Sequence, residues 1–138
     1  MQILIQLALS YKQVSLLLKN IPEPLARKKL TQQAMSPIEQ VFHLIEVTHA
    51  CNEMINDREY TWGAYKPEAE SLEAAVALYN KARETLINFI SSLTDETVTK
   101  HLSTITNYIL LHEAYHVGQL CNWKLENIPD WNPYEIYI

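Results

Sequence analysis

His112-Glu113-Ala114-Tyr115-His116-Val117-Gly118-Gln119-Leu120 sets two imidazoles four residues apart in a segment with helix-forming neighbours. Four residues advance an α-helix by roughly 6 Å and about 40° of rotation, so both rings project from one face. A single metal ion can be gripped by the pair, and neutral imidazole is the commonest protein ligand for zinc, nickel, iron and copper. The first five residues also satisfy H-E-x-x-H, the zinc metalloprotease motif in which the Glu is general base. That motif sits on a scaffold of mixed strands and helices. The remainder of the chain decides which fold the stretch belongs to.

Working outward, the punctuation is helical. There are two glycines, Gly63 and Gly118, and six prolines: Pro22 and Pro24 together, Pro37 and Pro67 singly, Pro129 and Pro133 near the end. Proline is excluded from helix interiors but favoured at the first helical position, so helices are expected in the intervals. A first runs over about 2–20, with Ile3, Leu7, Leu9, Val14, Leu17 and Leu18 at helical spacing. A second opens at Ser36-Pro37-Ile38-Glu39, a capping box with proline at N1, and runs to about 57. On it Glu39, Glu46 and Glu53 recur every seven residues and mark a wet face. A third is expected from near Pro67, on a stripe of Leu72, Val76, Tyr79, Leu86, Phe89 and Leu93. A fourth begins near Ser103 or Thr104 and runs to about 126, with Thr94 to Lys100 read as a loop. No segment alternates polar and apolar residues over strand length, and no Asn-Gly or Asp-Gly turn occurs. The reading is all-α: one domain over 1–138, a four-helix bundle with a divalent-metal site in its core.

Composition agrees. The 138 residues are 48% hydrophobic and 20% charged, in the range of soluble globular proteins. A net charge of −5, with Arg27-Lys28-Lys29 as the one basic cluster, argues against nucleic-acid binding. Cys51 and Cys121 fall inside helical patterns and read as reduced structural thiols. Met1 to Leu9 lacks a basic n-region and a small-residue cleavage site, and polar residues break any membrane-spanning run. A cytoplasmic protein with no membrane partner is expected. The tail contains Trp131, Tyr134 and Tyr137, too apolar to stay in water, so it folds over the bundle or joins a homodimer contact.

On a helical wheel His112 and His116 share a face with Ile105, Tyr108, Ile109, Gln119, Leu120 and Trp123. Glu113 and Lys124 lie about 100° to 120° away, which makes Glu113 a flank residue pointing off the bundle axis. The histidines therefore point inward, where bundles build metal sites. The bland reading is a pair of hydrogen-bonded core histidines. An open catalytic site wants a third ligand, from His43, His49, His101 or a carboxylate. His101 is expected near a loop and exposed. His43 and His49, six residues apart on the second helix, point about 120° from one another, and periodicity does not choose between them. Glu46, three residues after His43, can orient that ring or stay on the wet face. Tyr60, Trp62 and Tyr65 can wall a pocket mouth and Tyr108 and Trp123 line it, with ordinary core packing as the competing reading.

These residues resemble a family. His112 to Leu120 looks like the H-x-x-x-H-x-G-Q-[LI] motif on the last helix of the DinB/YfiT-like metalloenzymes. Ser36-Pro37-Ile38-Glu39-Gln40-Val41-Phe42-His43-Leu44 looks like their second-helix motif, in which a Ser opens the helix and a His-Leu or His-Ile pair follows seven residues later. The resemblance implies a bundle with a three-histidine site, the ligands being His43, His112 and His116, which selects His43 over His49. It also implies that Gly118 permits close helix approach and that Gln119 supports the site from behind. Gln33-Ala34-Met35 stands where the family often has a tryptophan before the Ser, and the N-terminus is short.

Characterised relatives are similar to low-molecular-weight-thiol transferases, in which the metal holds bacillithiol, mycothiol or glutathione as a thiolate; others are described as metal-dependent hydrolases. The resemblance thus implies a small-molecule substrate, a thiol cosubstrate, and zinc or nickel ahead of iron, manganese or copper. Thiol S-transfer leads and hydrolysis follows. From a different class comes a non-catalytic metal- or small-molecule-binding bundle, in which His49 closes the fourth position. The zinc-protease reading through His112-Glu113-Ala114-Tyr115-His116 ranks last, because no third-ligand motif follows His116.

Overall fold

In the computed structural model, which describes residues 2–137, α1 (Gln2–Leu18), α2 (Pro37–Ile55) and α3 (Leu72–Ser91) are followed by a short α4 (Asp95–Lys100). The last rod is continuous but not uniform: α5 (Leu102–Ile105) runs through a π-helical stretch, Thr106–Leu111, into α6 (His112–Asn127). Three-residue and five-residue 3₁₀ turns, Glu23–Leu25 and Pro133–Tyr137, complete the described residues, which contain no strand. The all-α expectation holds, with α1, α2, α3 and the α5–α6 rod as the four long members.

Local chemistry explains the boundaries. Ser36 caps α2 in a reciprocal box: its hydroxyl accepts from the Glu39 amide at 3.4 Å, and the Glu39 carboxylate accepts from the Ser36 amide at 2.8 Å. Such a cap contributes about 1 kcal/mol and fixes where His43 falls on the first turns. Asn20 and Asp57 take left-handed φ values of 59° and 56° just past α1 and α2, the conformation that ends helices and that Asn and Asp tolerate best after glycine. The third helix starts at Leu72 rather than near Pro67, because Ser71 supplies the N-cap, accepting from the Ala74 amide at 3.1 Å. Thr94 to Lys100 is a helix, not a loop. Thr94 caps it, Asp95 and Glu96 occupy its first turn and Lys100 its last, which suits the helix dipole at both ends. His101, expected exposed, is buried at the α4–α5 junction with Asp57 at 3.8 Å.

α1 packs against α3 and α6, while α2 packs against α3 and, across the bundle, the π stretch and α6. The apolar core divides in two. One part holds Val14, Leu17, Val41, Leu44, Ala75, Leu120 and Trp123; the other holds Leu7, Cys51, Leu86, Ile90, Ile105 and Ile109. The residues between them along α1, α3 and α6 are Ser10, Arg83 and Glu113, all gathered around one carboxylate. The tail folds back: Pro133–Tyr137 lies on α1 with Ile136 buried. None of the described helices is long and apolar enough to cross a membrane.

Candidate metal centre

His43 on α2 and His112 and His116 on α6 converge, each offering a ligand nitrogen within 4.8 Å of the others. The Nε2 atoms of His43 and His112 stand 3.1 Å apart. Two nitrogens bound at about 2.05 Å to one tetrahedral ion stand about 3.3 Å apart, so this pair is already spaced for a shared ion. The α2 and α6 placements follow from the capping box on one side and four-residue spacing on the other.

The tautomer of His116 is set from behind. Its Nδ1 lies 2.9 Å from Gln40 Oε1, while Gln40 Nε2 faces the Met35 carbonyl at 3.4 Å. A carbonyl oxygen only accepts, so Nδ1 carries the proton and the lone pair is left on Nε2. That Nε2 is buried and has no partner. A buried orphan lone pair beside two more imidazoles costs free energy unless a cation or a proton meets it. The donor set therefore fits a divalent ion of the imidazole-loving class.

Burial excludes the proton. It pushes His112 down to about 4 and His116 down to about 3, with neighbouring imidazoles adding to both, and lowers His43, where Glu46 pulls the other way. The rings are thus neutral and ready to ligate at pH 7. In metal-free protein the folded values lie below the unfolded 6.5, so the unfolded chain binds more protons and stability falls as pH drops from 6.5 towards the folded values. Chelator-treated protein should lose melting temperature between about pH 6.5 and 5, where carboxylates remain largely ionised. Replacing His112 and His116 together by Gln should flatten that slope, and an unchanged slope would count against burial of the cluster.

Glu113 overturns the wheel. It is 1% exposed and faces α1 and α3, not solvent and not the imidazoles. Arg83 Nε lies 2.9 Å from Oε1, the Tyr79 hydroxyl donates to Oε1 at 2.8 Å, and Ser10 donates to Oε2. Burial raises its carboxyl pKa, with Arg83, Ser10 and Tyr79 opposing. Lys124, placed with it on the outer flank, is also buried, donating to the Lys19 carbonyl at 3.1 Å and lying over the Trp131 ring. The physical reason lies on the neighbouring helices: Arg83 and Tyr79 of α3 and Ser10 of α1 hold the carboxylate inside, so the inward face of α6 is centred between Glu113 and His116 rather than on His112. The stripe that packs inward is Ile109, Glu113, His116, Leu120 and Trp123. With Glu113 turned away, the base that a zinc protease requires is missing from the imidazole cluster.

The remaining candidates separate. His49 is not in the cluster: its ring stacks on Tyr65 at 4.5 Å and meets the edge of Tyr60 at 5.6 Å. Glu46 makes no bond to His43; its Oε1 accepts from Tyr60 Oη at 3.0 Å and from the Gly63 amide at 2.7 Å. Tyr108 lies 6.0 Å from Trp62, forming an aromatic flank. Gln119 donates to Tyr115 Oη at 2.9 Å and not to His116. Trp123 is core, its indole donating to the Lys28 carbonyl at 2.8 Å. A Cβ on Gly118 would meet nothing within 4 Å, so close helix approach is not its role. Sequence reasoning missed Gln40 and Tyr115, whose ring edge lies 5.3 Å from His116. The i, i+3 spacing of Gln40 and His43 could have flagged the first.

The second and last long helices of the bundle thus bring together three imidazoles that could hold a metal ion. A sequence profile of the DinB superfamily matches residues 6–120, and the chain belongs to that superfamily. Comparison with curated proteins finds no match, and neither does comparison with solved structures.

Proposed function

We propose that the chain is a metal-dependent enzyme whose divalent ion is held by His43, His112 and His116, and that it transfers a low-molecular-weight thiol to a small electrophile. The observation that carries this is the orphaned Nε2 of His116, aimed among two further imidazoles with its tautomer fixed by Gln40. Zinc or nickel suits the donor set best. Such an ion supplies Lewis acidity, holding a bound thiol as thiolate or bringing bound water towards neutrality.

The protein's own side chains favour thiol transfer over hydrolysis. The chain's two thiols are not in the cluster, and burial pushes Cys51 up to about 12, so the nucleophile comes from outside. Hydrolysis by metal-bound hydroxide is helped by a carboxylate or imidazole free to move protons to and from the reacting atoms. Glu113 is held by Arg83, and Glu46 by Tyr60 and Gly63. A thiol arriving as a cosubstrate needs no such base once its proton is lost to solvent. Gln40 holds the His116 ring in its orientation, while Tyr115, packed against that ring, supplies an apolar face for the electrophile. His49 does not reach the cluster, so the fourth protein ligand of a purely structural site is lacking among the described residues.

The test mixes zinc- or nickel-loaded protein with glutathione, bacillithiol or mycothiol and 1-chloro-2,4-dinitrobenzene. Conjugation with at least one thiol, well above the chelated and His116→Ala controls, is the expected result. Rates equal to those controls for every thiol would remove the transferase reading.

A further inference from the structure

His49 lies outside the imidazole cluster, and the groove it lines has a chemistry of its own. Between α2 and α3 a cavity of about 270 Å³ is lined by buried Ile45 and Leu86, by Leu78 at its exposed rim, and by His49, Asn52 and Lys81. Tyr65 forms one wall. None of the lining residues is Asp or Glu, although the chain carries a net charge of −5. Lys81 takes part in no ion pair among the described residues. The groove therefore sets that unpaired lysine beside an apolar surface, with Glu53 next to His49 outside the lining.

Its aromatic wall is held in place rather than left to fluctuate. The Tyr65 amide donates to Tyr60 Oη at 3.1 Å, and Tyr60 Oη donates in turn to Glu46 at 3.0 Å. The Gly63 amide ties the same loop to the same carboxylate oxygen at 2.7 Å. The Tyr65 ring lies nearly parallel to His49, at 27° and 4.5 Å. A wall fixed in advance lowers the ordering cost that a ligand would otherwise meet. This is also what Glu46 does, in place of orienting His43.

We propose that this groove is a second binding site, for a small carboxylic acid with a flat apolar body. The body lies on Ile45, Leu78 and Leu86 beside Tyr65, and the carboxylate meets the Lys81 ammonium with the Asn52 amide as a further donor. The volume falls just below the usual range of about 300–1,000 Å³ for ligand sites, which limits the body to about one ring. A neutral amide of the same shape keeps the apolar contacts and forfeits the charge-assisted bond. The site is independent of the metal and of the reaction assigned to it.

Fluorine NMR of 4-fluorobenzoate against the purified protein tests this, with 4-fluorobenzamide as the uncharged twin. The benzoate should bind in the millimolar range or tighter, with the benzamide about tenfold weaker. Lys81→Gln, at an exposed position, should bring benzoate down to the benzamide level, Tyr65→Ala should weaken both, and His112→Ala should change neither. The proposal fails if no line broadening occurs up to about 10 mM, if Lys81→Gln binds as the parent does, or if His112→Ala abolishes binding and so moves the acid to the imidazoles.

Discussion

Alanine at His43, His112 or His116 is expected to strip the divalent ion from protein purified without chelator, whereas His49→Ala keeps it. Zinc sites of about four ligands yield about 10–16 kcal/mol, so one ligand is worth about 3 kcal/mol, on the order of a hundredfold in affinity. Gln40→Leu removes the acceptor that fixes the His116 tautomer and should weaken binding by about 10–100-fold, the usual cost of losing a partner behind a ligand. Elemental analysis gives the occupancy, competition with a chromogenic chelator gives the affinity, and circular dichroism confirms that each variant is folded. Metal retained in His43→Ala and lost in His49→Ala would reverse the ligand assignment. The separation is sharp because the two rings, on one helix, face different neighbours: His43 meets His112 Nε2, and His49 lies under Tyr65.

What could be read in advance was whatever repeats locally. Ser36 to Glu39 announces a helix start within four residues, the Ser36 and Glu39 side chains each bonding the other's backbone, and the structure reproduces it. The four long rods follow from proline placement and apolar spacing, and the inward imidazoles of α6 follow from a four-residue interval that survives because it lies wholly after the π stretch. Most of the failures involve something non-local. Thr94 to Lys100 shows no apolar period and so reads as a loop, yet Thr94 caps a six-residue helix whose Val98 buries into the second core cluster. His101 carries no sign of burial until α4 is known to stop against Asp57. Glu113 looks like a surface residue until Arg83, thirty positions earlier, is folded beside it. Nothing in Thr106–Leu111 advertises a π turn, with neither proline nor glycine present.

The second large effect follows from the burial of Glu113. Glu113→Ala leaves the Arg83 guanidinium, 0% exposed, without a counter-charge, beside only the Leu7 carbonyl at 3.2 Å, the Tyr79 hydroxyl and the Tyr11 ring. Removing one member of a buried pair costs about 3–5 kcal/mol, because the survivor's charge goes uncompensated. For a chain of this size that is roughly 10–15 °C of melting temperature. Replacing both partners by Arg83→Met with Glu113→Leu should restore most of the loss, since apolar side chains of similar volume would join the two core clusters that the polar layer now separates. A surface ion pair behaves otherwise: its loss costs about 0–1 kcal/mol. A melting shift of a degree or two for Glu113→Ala would therefore place this residue back on the outer flank. The chemistry gives an independent check. As the base of a zinc protease, Glu113 replaced by Gln would lose nearly all turnover while keeping its fold and metal. In the arrangement seen here Glu113→Gln lowers stability, and whatever reaction the folded fraction catalyses proceeds at the parent rate, because the carboxylate touches Arg83, Tyr79 and Ser10 and nothing that a substrate at the imidazoles would meet.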